Sequence, residues 1–406
     1  MATTRPRRAE VTSPAIVVVG SGAAGMMAAI RSSDRVTTML VTDRGLGTSN
    51  SSVAQGGLQF PHDNAESLDR YRADMLASAG DGTIHPQRVD HFLSLVRPTV
   101  EVLESWGLDL DRDESGTLIR HLAGGLSESR IVTAKGSIGA ALLRVLRSKI
   151  VDSEVEIRTR CSVNNITRTA NGIELATSDG TIPATAVIAA IGGTAFQRSK
   201  QLGLPTSNPA NQNDRLYTAL RRLGLEEIDP DEFQFQPYGI VSLQGEPTGH
   251  CVPESIIELG ARVVGGDGSP IIHAGANRRE VTEAMAARID EAPLTADGSP
   301  AFLLTLGDVD DATLFTRYPQ LRRRLLPHRL ESGHVHIAPV LHYQLGGFGT
   351  RPDGSTSVPG LYLAGEVTGG LHGSNRLMGN GITEAVVDGL AAADAAVRFV
   401  SATEER

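Results

Sequence analysis

Five apolar residues, Ala15-Ile16-Val17-Val18-Val19, run straight into Gly20-Ser21-Gly22-Ala23-Ala24-Gly25. An unbroken apolar run of this kind suits a central parallel strand covered on both faces. The glycine spacing then sets the turn that follows. Gly20 permits a tight reversal, Gly22 lets a pyrophosphate approach the backbone, and Gly25 lets helix and strand pack closely. A helix over 23–33 would aim its first free N–H groups, at Ala23 and Ala24, toward the phosphates. Residues 37–42 read as a second strand ending at Asp43, where a carboxylate can accept from ribose hydroxyls, with Arg44 beside it. The unit is βαβ, and the class is α/β.

The other half of such a site lies far downstream. Residues 361–364 read as a strand, followed by Gly365 and Glu366; Asn375, Arg376, Asn380, Gly381 and Ile382 come next, opening an Ala-rich helix over 381–397. Glu366 then sits at a strand's carboxyl end, where α/β sheets bind ligands. The helix N-terminus near Asn380-Gly381 would face negative charge developing on a reduced ring. Nicotinamide folds complete their site in one continuous stretch, so a site built from both ends of the chain points to a flavin dinucleotide.

The 406 residues allow two domains. The expected division is a flexible tail over 1–14, a discontinuous cofactor domain over 15–224 and 339–406, and an inserted α+β capping domain over 225–338, where short apolar runs are broken by Pro, Gly and charge. Helices are expected over 66–80, 88–106, 138–148 (with Gly136 just ahead), 214–223, 279–289 and 312–326. Strands over 154–158, 162–169 and 172–177 alternate like a meander, and an apolar strand over 186–191 ends in Gly192-Gly193. A net charge of −9 argues against a nucleic-acid binder but leaves room for a local Arg cluster facing an anionic substrate. Cys161 and Cys251 form no metal spacing, so no metal is expected, and they fit a reducing cytoplasm. No apolar run reaches membrane-spanning length, and no secretory signal is evident.

Taken together, Gly20–Gly25, Ser51-Ser52-Val53-Ala54-Gln55-Gly56-Gly57, His342-Tyr343 with Gly346-Gly347, Gly365-Glu366 and His372-Gly373 with Asn375-Arg376 resemble the succinate dehydrogenase/fumarate reductase and L-aspartate oxidase flavoprotein family. The resemblance runs from Ala15 to Val397 and is nearest to the L-aspartate oxidases. It implies a glutathione-reductase-like, Rossmann-type FAD domain with a cap over the flavin ring. It also implies hydride transfer between a small amino acid or dicarboxylate and flavin N5, with oxygen or another acceptor reoxidising the flavin. By the same resemblance Ser51, Ser52, Gln55, Gly56, Gly57, Gly192, Gly193 and Asp214 join the cofactor site. His342 and Arg376 would bind substrate carboxylates, Arg279 would be the cap arginine that transfers a proton, and Glu254 matches an acidic residue of the cap. A planar guanidinium suits a carboxylate, and two anchors hold a diacid rigidly beside a flat ring.

The chain departs from the pattern in several places. Where the family carries Phe-His-Pro-Thr, this sequence has Phe235-Gln236-Pro237-Tyr238, and Gln cannot carry positive charge. Ile257-Glu258-Leu259-Gly260 replaces an Arg-Gly-Glu-Gly run, and the loop His121–Gly125 is short and lacks an acidic residue. Asn50 stands where respiratory members attach FAD covalently to His, so the FAD is expected to be non-covalent. The family's C-terminal helical domain has no counterpart, so docking of an iron–sulfur partner is not expected. Two other readings stay open: a soluble fumarate-reductase-like enzyme that saturates a C=C bond, and a flavin-binding protein whose substrate site has decayed.

Overall fold

The structure is a computed structural model that describes residues 14–405 apart from 136, 212, 274 and 307–309. The tail expected over 1–14, all but Pro14, and Gly136 lie outside the described residues. At the centre is a five-stranded, all-parallel sheet in the order Leu361–Leu363, Ala186–Ala189, Ile16–Val19, Thr38–Thr42, Glu156–Thr159. The apolar run fills the middle strand because both of its faces are covered. Ile16 and Val18 enter one core with the helices Ala23–Ser33, Ile138–Val151 and Asn380–Glu404. Val17 and Val19 enter the other, with helix Asp214–Arg222 and a three-stranded antiparallel meander over residues 163–184.

Two expectations are corrected here. Glu156–Thr159 belongs to the parallel sheet beside Thr38–Thr42, and the meander's third strand is Gly180–Ala184. The single helix expected over 312–326 is two, Asp311–Arg317 and Leu321–Leu325. Pro319 sits in the gap; it has no N–H to donate, and it biases Tyr318 away from helical backbone, which takes φ −130° and ψ 72°.

The helix Asn380–Glu404 lies against Ala23–Ser33, which brings the two ends of the chain together beside the middle strand. A second five-stranded sheet is antiparallel throughout, in the order Pro247–Cys251, Phe233–Val241, Val335–Gln344, Phe302–Thr305, Arg262–Val264. It has its own apolar cluster around Tyr238, Ile256, Phe302 and Leu321. The boundary expected at 338/339 falls inside strand Val335–Gln344, which delivers His342 and Tyr343 from this sheet to the cofactor half. Among the described residues, no helix is long and apolar enough to cross a membrane.

Candidate functional site

A cavity of about 580 Å³ opens at the carboxyl ends of the parallel strands and extends to the antiparallel sheet. Its floor is the glycine turn. Gly20 has φ +106°, and a Cβ there would lie 2.3 Å from the Ala190 carbonyl oxygen. A Cβ on Gly25 would lie 1.9 Å from the Gly20 oxygen, so the first strand and helix are fused too tightly for any side chain. Gly22 faces the cavity and caps helix Ala23–Ser33 without a side-chain bond to its N–H groups. The Ser51 hydroxyl accepts from Ala23 N at 3.2 Å, which seats the serine segment against the helix start. Asp43 and Arg44 line the cavity at the end of Thr38–Thr42 and pair at 3.8 Å. The helix Asn380–Glu404 likewise starts without a side-chain cap, behind Gly379. Two uncapped helix starts, a backbone cradle and a terminal carboxylate match the phosphates and ribose of FAD.

Most residues expected around the cofactor meet here: Gly20, Gly22, Ala23, Ala24, Asp43, Arg44, Ser51, Gln55, Gly56, Gly57, Gly192, Gly365, Glu366, Arg376, Gly381 and Ile382 all line the cavity. Others stand behind the wall. Ser52 donates to the Ser49 carbonyl at 2.7 Å. Gly193 N–H helps hold Glu366, which also accepts from Gln344 N at 3.0 Å. Asn375 bonds to Ser78 and Gln234, and Asn380 accepts from Tyr71. Asp214 is exposed on the first turn of its helix; its neighbour Asn213 lines the cavity and donates to Gly193 O at 2.8 Å. Burial pushes the Glu366 carboxyl up to about 7, against the opposing effect of its backbone donors and Arg376.

At the antiparallel end, Gln236, Glu254, Arg278, His342 and Arg376 converge. Gln236 comes from strand Phe233–Val241, opposite Val340, and His342 lies two residues further along the neighbouring strand Val335–Gln344, so the pairing of these strands brings both to the cavity. Burial, then the Arg278 and Arg376 charges, hold the His342 imidazole well below its ordinary value. Its Nδ1 pairs with the Ser207 hydroxyl at 2.7 Å. Arg376 is 5% exposed, and its guanidinium stacks 4.2 Å from the Tyr343 ring centroid. Burial and the nearby Arg278 pull it down to about 10. Its Nε has no partner, nor has Gln236 Oε1. Unpaired buried polar atoms on a cavity wall are open positions for a polar ligand.

Of the two adjacent arginines, Arg278 lines the cavity and the expected Arg279 does not. Helix Arg278–Ala287 begins behind Asn277, whose side chain and Glu280 form a reciprocal capping box. That fixes the helix phase, and neighbouring residues on a helix point about 100° apart. Arg278 turns inward: its Nε donates to Glu254 at 2.5 Å and its Nη1 to Gln234 at 3.2 Å. Arg279 turns outward, pairs with Glu283 at 2.8 Å and lines no part of the cavity.

The site residues that sequence reasoning missed are therefore Arg278 and Gln234. The Gln234 amide donates to Asn375 Oδ1 and to the Arg376 carbonyl, tying the antiparallel sheet to the glycine-rich cofactor segment. Behind Tyr343 its hydroxyl donates to Glu384 at 2.5 Å, and Glu384 also meets His372 and Arg88. Two of the departing segments, 121–125 and 257–260, stay off the wall: Glu258 pairs with His121 at 3.4 Å, and neither lines the cavity.

Residues 15–382 match the model of a family described as FAD binding domain, so the chain belongs to that FAD-binding family. An L-aspartate oxidase from Xylella fastidiosa is 30% identical over 399 residues, covering 93% of this chain and 74% of the relative. A fumarate reductase (CoM/CoB) polypeptide from Methanothermobacter marburgensis is 25% identical, covering 96% of this chain and 74% of that relative. Among solved structures, E. coli quinol fumarate reductase superposes with a TM-score of 0.86 at 21% identity, covering 96% of this chain and 71% of that one. The chain is thus an FAD-dependent oxidoreductase of the succinate dehydrogenase/fumarate reductase and L-aspartate oxidase group.

Proposed function

We infer that the protein oxidises a small amino acid or dicarboxylate in the manner of an L-aspartate oxidase. The observation that carries this reading is the buried Arg376 guanidinium, with its Nε unpartnered and, among the described residues, no carboxylate within ion-pair distance, beside His342 on the wall of the cofactor cavity. FAD, when bound, supplies the two-electron acceptor at N5. Arg376 binds one carboxylate of the substrate, and His342, oriented by Ser207, donates or accepts one hydrogen bond beside it. Gln236 supplies a neutral polar contact where the family has a cation. Arg278, held by Glu254 and Gln234, takes the position assigned in the sequence to Arg279 and lines the cavity, where its guanidinium can donate hydrogen bonds to an anionic substrate.

The proposed division keeps residues 225–338 as a cap that shields the ring from water, with 15–224 and 339–406 as the cofactor domain. Asn50 donates its amide to Asn208 and offers no imidazole, which supports non-covalent FAD. Free Cys161 and Cys251 support a reducing, cytoplasmic setting. The buried Arg278–Glu254 pair favours one second reading, C=C reduction, because that direction needs a proton delivered to carbon. Anaerobic mixing with L-aspartate, succinate or fumarate, while flavin absorbance is followed, separates the two. Bleaching by aspartate supports oxidation, and fumarate-dependent reoxidation of the reduced enzyme supports reduction. Bound FAD unresponsive to all three and to larger analogues would overturn both.

A further inference from the structure

Four guanidiniums line the cavity: Arg44, Arg278, Arg324 and Arg376. Arg44 pairs with Asp43 and Arg278 with Glu254. Among the described residues, Arg376 and Arg324 have no carboxylate within ion-pair distance. A partly buried cation without a counter-ion is costly, and an anionic ligand offsets that cost. Arg376 is the anchor already described. Arg324 lies on helix Leu321–Leu325, half-buried; its charge reaches Cys251 and His250 but is not among those acting on His342, where Arg376 and Arg278 act.

At Arg324 the cofactor cavity meets a second one of about 820 Å³. The two share Thr248, His250 and Arg324 as wall residues. Arg323 and His328 add basic groups to the outer cavity, and among the described residues Glu246 is its one acidic wall residue. The electrostatics trace the same path. Cys251, beside His250, is subject to both the Arg278 and the Arg324 charges, and His250 is depressed by burial and then by Arg324 and His328. Of the other wall residues, Gln236 is neutral and the charge of Arg278 is taken up by Glu254.

We propose that Arg324 is a second anion anchor, so that the substrate is an acid with two anionic groups set farther apart than in a four-carbon diacid. One end sits on Arg376 and His342; the chain runs past Gln236 and Cys251; the distal carboxylate lies against Arg324 and His250 at the mouth of the outer cavity. This rests on the reading that the cavity takes a small anionic substrate. It deepens that reading by assigning a length.

The test titrates oxidised holoenzyme anaerobically with succinate, glutarate, adipate and pimelate, reading perturbation or bleaching of the flavin band. The wild-type protein should prefer a longer acid. Arg324→Ala should erase that preference, weakening the long acid relative to succinate on the order of tenfold, the loss of one charge-assisted contact. Arg324→Lys should restore part of it, and thermal melting checks that both variants fold. Tightest binding of succinate by the wild type, with the same ranking in Arg324→Ala, would overturn the length assignment and leave the proposed function standing. No response to any of these acids, nor to L-aspartate and its longer homologues, would overturn both.

Discussion

Adjacent arginines on one helix give the sharpest test of how this site works. Arg278 and Arg279 share the first turn of Arg278–Ala287, yet one is 7% exposed and the other 41% at the side chain. Replacing Arg279 by Gln removes an exposed i,i+4 pair, worth about 0.3–0.5 kcal/mol, and should leave flavin reduction intact. Replacing Arg278 by Gln leaves the Glu254 carboxylate buried at 8% exposure without its cation. Breaking one side of a buried pair costs about 3–5 kcal/mol, so a clear fall in melting temperature is expected. The chemical step should drop by roughly 10²–10⁴, the usual range for losing a positioned proton-transfer group. Arg278→Lys keeps charge beside Glu254 and should recover stability more than rate, because an ammonium lacks the planar fork that also reaches Gln234. The assay is anaerobic stopped-flow bleaching of the flavin by the reactive acid, paired with thermal melts. Full activity in Arg278→Gln, or loss of activity confined to Arg279→Gln, would refute the inward assignment.

Other consequences follow from the same geometry. Gly25→Ala places a Cβ 1.9 Å from the Gly20 oxygen and should yield protein that fails to retain FAD, checked by the flavin-to-protein absorbance ratio. Arg376→Ala should abolish reduction by substrate while FAD stays bound; normal turnover would contradict the anchor. The Glu366 carboxyl, raised to about 7 from 4.5 when ionisation is opposed by burial, binds its proton more tightly in the folded state. Its contribution to the FAD-free protein is therefore full below about pH 4.5 and is lost as pH rises through about 7, by up to about 3 kcal/mol. Urea melts of wild type and Glu366→Gln should diverge over that window. Parallel curves would remove Glu366 from the account.

The cofactor half was legible because backbone constraint writes itself into residue type. A strand covered on both faces must be apolar, and a turn with φ +106° against a carbonyl must be glycine, so Ile16–Val19 and Gly20 declare themselves. Helix phase is less visible. The expected helix began at Arg279, but Asn277 and Glu280 form the capping box, and the buried face is Arg278, Val281 and Met285. That i, i+3, i+7 spacing was present in the sequence and would have chosen Arg278. Asp214 failed in the same way, with Asn213 one position earlier facing the cavity. Gln234 was beyond sequence reasoning, because its partners Asn375, Arg376 and Arg278 lie 141, 142 and 44 residues away. Strand pairing brings such residues together without leaving a local signature.

The measurement that bears most directly on the account is the colour of the purified chain. Two distant segments, Gly20–Gly25 and the start of Asn380–Glu404, should together hold FAD in near-stoichiometric amount, with all of it released intact on denaturation because Asn50 forms no covalent link. Protein that is colourless and remains so after incubation with excess FAD would contradict it.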